Sequence, residues 1–294
     1  MNSNKRWGLF VVVALVLVAL VSKVSATEGF DQAPRIAIIS AFGAELEAFR
    51  AQAVIEKTVI LNGRTVYIGT LAGRKVILTL SGVSMVNATM STEAIVQRFN
   101  VTRIVFSGIA GAVNPSLNIR DVVVPARWSE YQENRFVRQL PDGSFQIPIN
   151  QLLPCFGMMC PQSVSVAIDG GTPDVQVRYW SYLVDPEMLA VADSVVDDVT
   201  LDRCTTSGVC LTEPPVIKVG GVGVAGPTFV DNAEYREYVY DTWQADALDM
   251  ESSAVAHVAT THRIPFIVFR SLSDLAGGGP GENEIRTLFA LAAS

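Results

Sequence analysis

Two short stretches near the C-terminus carry the residues best suited to chemistry. Asp249-Met250-Glu251 closes one apolar run, and Ser273-Asp274 closes another, the β-branched and aromatic run Pro265 to Leu272. Between them, Ser252 to Thr261 has helical spacing, so the unit is strand, helix, strand with a carboxylate at the end of each strand. In open α/β sheets that edge is where ligands bind. A third carboxylate, Glu45, follows the strand-like run Arg35 to Ser40 across the turn Ala41 to Ala44. A carboxyl group can donate a proton to a leaving group, activate water or grip vicinal hydroxyls. Taken singly, each has a plainer role, since acidic residues commonly start helices or cap turns.

The elements that must position these groups alternate along the chain. Glu45 to Ala53 has helical character. Thr65 to Leu71 and Lys75 to Leu80, joined by Ala72-Gly73, form a hairpin. Ser84 to Phe99 is an amphipathic helix leading to strand Arg103 to Ser107. The small-residue segment Gly108 to Ala112 is expected as a loop at that strand's end. Asp121 to Pro125 is a further strand. From Ala126 to Asp185 periodicity fades into long loops with short strands, and Pro186 to Val199 is a helix. Val216 to Ala225 and Ala247 to Met250 are strands, with a helix from Asn232 to Trp243 between them. Glu282 to Ser294 starts a helix that stops early, so the C-terminus looks clipped. The fold class expected is α/β: three layers, α/β/α, around a central mixed sheet.

Composition narrows the function. The 294 residues are 49% hydrophobic and 17% charged, enough for one large core, and no linker divides them. A net charge of −7 without a basic cluster argues against nucleic acid. Lys5 and Arg6 precede an apolar run from Leu9 to Val21, and Val24-Ser25-Ala26 has the pattern of a cleavage site. Residues 1–26 are therefore expected to be a signal peptide, with an uncleaved anchor as the rival, and residues 27–294 a single secreted domain free of the membrane. Cys155, Cys160, Cys204 and Cys210 suit an oxidising compartment. Four cysteines allow three pairings, which the sequence leaves open, and zinc is disfavoured because no C-x-x-C or nearby histidine is present. Of the sequons at Asn87 and Asn100, Asn87 is expected against the core and Asn100 at an exposed end, which makes Asn100 the better glycan candidate.

Several chemistries drop out. Gly221 to Gly226 matches G-x-G-x-x-G, but Pro227 to Val230 follows where a dinucleotide site needs a helix. Those glycines are expected to permit close packing beside a ligand. Only His257 and His262 occur, without a nucleophile elbow, so a Ser-His-Asp triad has little support and His257 reads as a partly buried structural residue. No metal constellation is evident.

The segments IAIISAFGAELEAF, SGVSMVNATMST, VFSGIAGAVNPSLNIRDVVVP, VAGPTFVDN, LDMESSAVAHVA and PFIVFRSLSDLAGG together resemble the purine nucleoside phosphorylase and nucleosidase superfamily. The general likeness is to 5′-methylthioadenosine/S-adenosylhomocysteine nucleosidases. The leader and cysteine loops resemble the secreted plant branch, with its bark storage proteins and cytokinin riboside phosphorylases. The resemblance implies a purine nucleoside substrate, no cofactor and a homodimer or higher homo-oligomer. It implies Asp274 as the acid that protonates the leaving base and Ser273 as its orienting neighbour. Met250 and Glu251 would hold the ribose, Phe229 would stack on the base, and Val230 would hydrogen-bond it through its backbone. Glu45 would activate water, and Arg270 takes the place of an active-site arginine. Ile109, Ala110 and Gly111 would lie beside the sugar, where phosphorylases bind phosphate as co-substrate. There the hexameric phosphorylases carry an arginine and a serine, whereas this chain has Phe106 and Ile109, and Glu45 would repel a phosphate dianion. Both features favour water as nucleophile, with phosphorolysis and a storage role as the alternatives. Ala126 to Arg138 lacks the family's histidine-containing motif, which leaves the 5′ side of the pocket open.

Overall fold

The structure is a computed structural model that describes residues 31–204, 210–211, 213–281 and 283–285. The expected leader and nearly all of the expected C-terminal helix lie outside those residues. Among the described residues the centre is one mixed sheet of twelve strands, whose main path runs from β12 (Tyr182–Leu183) and β7 (Arg127–Glu130) through the inner strands to β3 (Arg64–Leu71) and β2 (Val54–Leu61). Its inner members are β1 (Asp31–Ser40), β4 (Arg74–Leu80), β5 (Phe99–Ala112), β14 (Val222–Ala225), β15 (Ala247–Asp249) and β16 (Phe266–Asp274). Alternation along β1 shows why helices cover both faces. Ala37 and Ile39 enter one apolar cluster with Ile95 of α2 (Met85–Arg98) and Val255 of α5 (Ser252–Thr261). Ile36 and Ile38 point the other way, into a cluster with Leu46 and Phe49 of α1 (Gly43–Gln52). A period of two on a strand buried on both sides produces this split.

The expected hairpin is present, as β3 (Arg64–Leu71) against β4, and a further strand, β2 (Val54–Leu61), extends it through the Asn62-Gly63 turn. Both residues of that turn have positive φ, as do Ala72 and Gly73, which is the geometry two-residue hairpin loops require. The sequence reading missed β2 because nearly all of it is exposed, with no buried face to set a pattern.

Two expectations are corrected. Gly108 to Ala112 is not a loop: β5 runs unbroken to Ala112, pairing with β16 through Gly111 and with β15 at its last two residues. Small residues suit this stretch because side chains from neighbouring elements press against it; a Cβ at Gly108 would collide with Arg270 and Glu45. Val216 to Ala225 is not one strand either. Gly220 and Gly221, both at positive φ, divide it into β13 (Ile217–Val219), paired with β6 (Val122–Val124), and β14, paired with β7 (Arg127–Glu130) and β15. The G-x-G-x-x-G glycines do permit close packing, but against protein: a Cβ on Gly223 would meet the Trp128 ring and one on Gly226 the Gln132 side chain.

Between β7 and α3 (Pro186–Ser194) the chain makes short hairpins, including β10 (Val164–Ala167) with β11 (Gln176–Tyr179). The cysteines pair as neighbours, Cys155–Cys160 and Cys204–Cys210. The first loop docks on α4 (Ala233–Trp243): the Phe156 ring meets Tyr235 edge-on, and the Tyr238 hydroxyl donates to the Pro154 carbonyl. Asn87 is exposed rather than turned to the core, and Asn100 is exposed as expected. Among the described residues no helix is long and apolar enough to cross a membrane.

His262 ends α5 and ties three elements together. Its Nδ1 lies 2.7 Å from Asp169 and its Nε2 2.7 Å from Glu93 of α2. Burial pulls the imidazole pKa down, but the hydrogen bonds to Glu93 and Asp169 outweigh it and leave the pKa raised. With the folded value above the unfolded one, the stabilisation is complete below the ordinary imidazole range and is lost as pH rises through the raised value. Both carboxylates are well exposed, so solvent screens the pairs. The stability difference between wild type and His262→Gln, read from denaturant midpoints, should be largest in mildly acidic buffer and shrink in alkaline buffer.

Candidate active site

The C-terminal ends of β1, β15 and β16 converge with the last residues of β5 on a cavity of about 370 Å³. Its walls include all three expected carboxylates, Glu45, Glu251 and Asp274, together with Ser273, Met250, Phe229, Val230, Ile109, Ala110 and Gly111. A wider groove of about 670 Å³ lies at the other edge, beside the start of β16, but it is open and holds no converging carboxylates.

Glu45 sits in the first turn of α1 and folds back. Its Oε2 accepts from the Ala41 N–H at 2.7 Å and the Phe42 N–H at 3.3 Å, and its Oε1 accepts from the Ile109 N–H at 2.8 Å. The helix-start role and the site role thus fall on the same side chain. Burial raises its pKa against the opposing pull of Arg270 and these three N–H groups. Glu251 precedes α5 but does not cap it. Asp249 does that, its Oδ1 accepting from the N–H groups of Glu251 and Ser252, both at 2.9 Å. Released from capping, Glu251 reaches across to the Ser84 N–H at 2.6 Å. Burial, then the neighbouring Asp249 charge, push its pKa up to about 7. Asp274 ends β16. Its Oδ2 accepts from the Ser273 hydroxyl at 2.8 Å, and its Oδ1 accepts from the Ala276 N–H at 2.9 Å.

Apart from Thr228, Asp249 and Ser273, the rest of the lining is apolar. Phe229 is 49% exposed and stands at the mouth, while Val230 is buried in the wall among Tyr131, Val224 and Leu248. Arg270 is placed differently from the other expected residues. It is wholly buried behind the wall, its Nε donating to Asp249 at 2.7 Å and its guanidinium lying 4.3 Å from the Phe106 ring centre. It faces the cavity through Gly108, where the missing Cβ leaves room between Arg270 and Glu45. Sequence reasoning missed Val83, Thr228, Leu248 and Ile285 as lining and Asn283 as a partner of Asp274. A signal was available for three of them: Val83, Thr228 and Leu248 lie within the resembling segments SGVSMVNATMST, VAGPTFVDN and LDMESSAVAHVA. His257 is half-buried with its Nδ1 2.9 Å from Glu130 and 3.0 Å from the Tyr182 hydroxyl, and it does not line the cavity. Among the described residues no three His, Cys, Asp or Glu side chains are grouped to hold a metal ion.

A parallel-cored α/β sheet with four acids and a largely apolar wall at its carboxyl edge defines a class of small-molecule sites. Comparison of the sequence with family models gives that class its name. Residues 35–293 match the model of the phosphorylase superfamily, and the chain belongs to that superfamily. Among curated relatives, it is 26% identical over 244 residues to the 5′-methylthioadenosine/S-adenosylhomocysteine nucleosidase of Psychromonas ingrahamii, covering 83% of this chain and 87% of that protein. The enzyme of the same name from Staphylococcus epidermidis is 28% identical over 213 residues, covering 72% and 74%. Among solved structures, the futalosine hydrolase of Helicobacter pylori superposes with a TM-score of 0.64 at 21% identity, over 88% of this chain and 92% of that one. The S-adenosylhomocysteine nucleosidase of Streptococcus pyogenes, bound to 5-methylthiotubericidin, gives 0.63 at 23%, over 88% and 91%.

The raised Glu251 carboxyl makes a stability prediction. Because its folded pKa lies above the unfolded 4.5, the folded protein holds a proton that the unfolded chain has lost, and stability falls as pH rises from the one value to the other. Glu251→Gln keeps an acceptor for the Ser84 N–H and removes that slope. The variant should gain on wild type across this interval, by on the order of 1–3 kcal/mol at most, as measured by denaturant unfolding at several pH values.

Proposed function

We propose that this chain is a nucleosidase that cleaves the N-glycosidic bond of purine ribosides, such as 5′-methylthioadenosine or adenosine, with water as the nucleophile. The observation that carries the reading is the convergence of Glu45, Glu251 and Asp274 on one cavity whose remaining wall is largely apolar. The curated relatives named above as nucleosidases support it. Breaking such a bond passes through an oxocarbenium-like state, in which the base leaves on one side as the nucleophile arrives on the other. A purine leaves poorly as an anion. Asp274 gives it a proton, which lowers the barrier by ~10²- to 10⁴-fold for general acid catalysis of this kind. Ser273 orients that carboxyl through its hydroxyl. Glu45 takes a proton from water as the water oxygen bonds to the sugar carbon, and the products are free base and free sugar. Glu251, in its carboxylate form, grips the two ribose hydroxyls beside Met250. Phe229 stacks on the base and Val230 hydrogen-bonds it through its backbone. Arg270 acts through its charge, opposing the burial that raises the pKa of Glu45 and Glu251. Ile109, Ala110 and Gly111 floor the cavity with side chains that offer a phosphate no donor.

The proposal extends to the setting. A secretory leader over residues 1–26 fits the two disulfides, and the exposed Asn100 is its glycan site. A homodimer fits the exposed apolar row Val83, Val86 and Met90, which runs along α2 from the cavity mouth.

The test is base release from adenosine, methylthioadenosine and a cytokinin riboside, with and without phosphate. Release without phosphate, yielding free sugar, is expected. Strict phosphate dependence with sugar 1-phosphate would make the chain a phosphorylase and remove Glu45 from its role. No release on any riboside would favour storage. Asp274→Asn should lower kcat by ~10²-fold or more while the unfolding midpoint stays near wild type, and Glu45→Gln should stop hydrolysis with base binding retained.

A further inference from the structure

Asn283 lies where the chain, having left β16, folds back over the cavity, and its side chain makes a set of contacts that packing alone does not require. Its Oδ1 accepts from the Ile285 N–H at 3.0 Å, which fixes the amide's orientation. Its Nδ2 therefore has both hydrogens to give. One goes to Asp231 at 3.1 Å, the residue directly after the wall residue Val230, and the other to Asp274 Oδ1 at 3.3 Å. Asp274 Oδ1 also takes the Ala276 N–H, so this oxygen receives two N–H donors. Among the described residues Asp274 Oδ2 faces only the Ser273 hydroxyl, and that hydroxyl has an alternative acceptor, the Ala110 carbonyl at 3.3 Å.

We propose that Asn283 is a positioning residue for proton delivery: its amide occupies Asp274 Oδ1 and so confines the transferable proton to Oδ2. An oxygen that already accepts two N–H groups is a poor place for a proton, because an O–H there would meet those donors. With the proton on Oδ2, the Ser273 hydroxyl turns to the Ala110 carbonyl. Once the proton has passed to the leaving base, the same hydroxyl turns back and donates to the Oδ2 carboxylate. No atom is gained or lost beyond the proton that Asp274 gives to the base. The same amide also ties the cavity-lining Ile285 to the acid and to the Asp231 end of the opposite wall.

The inference rests on the reading of Asp274 as the general acid, and leaving-group dependence separates the two. Adenosine needs its base protonated; 4-nitrophenyl β-D-ribofuranoside carries a leaving group that departs without a proton. Asn283→Ala and the isosteric Asn283→Asp should each lower kcat on adenosine by about tenfold, the worth of one such hydrogen bond, and change kcat on the nitrophenyl riboside less than about twofold. Asp274→Asn should show the same split, larger. Equal losses on both substrates in the Asn283 variants would assign Asn283 a structural role and overturn the proposal, as would unchanged rates on both. A split in the Asn283 variants without one in Asp274→Asn, or a wild-type chain that releases no base, would overturn the general-acid reading and this inference with it.

Discussion

The buried pair of Arg270 and Asp249 is the interaction on which the site depends. It joins β16 to the end of β15 and, through Ser252, to the first residue of α5. Both partners are almost wholly out of water, so neither charge is tolerable without the other, and losing one would strand the second at a cost of several kcal/mol. The hydrogen bonds around the pair make it supportable: Asp249 also accepts from two backbone N–H groups and from the Ser252 hydroxyl, and the guanidinium face lies on Phe106. Because Asp249 does the capping of α5, Glu251 is free to point into the cavity.

The same pair sets the electrostatics. Glu45 and Glu251 share the wall of one small cavity and lose hydration there, and burial raises the pKa of both. Arg270 counters this for Glu45 and Glu251, while Asp249 works against it for Glu251. Glu45 receives three backbone N–H groups and Glu251 one. Groups that meet with unequal support can hold different protonation states at one pH. Gly108 is the geometric condition for this, since any side chain there would part Arg270 from Glu45.

Strongly patterned elements were legible in the sequence. Helix Ser252 to Thr261 has the expected bounds, and strand β16 runs two residues past its expected end, because its apolar run is buried on both faces and the helix carries the complementary stripe. Errors fell where pattern and partner disagree. β2 is exposed and nearly patternless, Gly108 to Ala112 is small because neighbours crowd it rather than because it turns, and the run Val216 to Ala225 hides a break made by two positive-φ glycines.

By itself the sequence determined the α/β class and the strand ends bearing acids, since residue type and local period carry that information without any knowledge of distant contacts; the other residues expected around the cavity came from the family resemblance. Tertiary structure decided what each acid touches. Glu251 reaches a backbone N–H 167 residues away in sequence, Arg270 stands behind the wall rather than on it, and Asn283 bridges Asp231 and Asp274. It also chose among the three cysteine pairings. Hydrogen-bond partners, burial and the pKa shifts that follow from them depend on which distant segments meet, and a one-dimensional pattern does not encode that meeting.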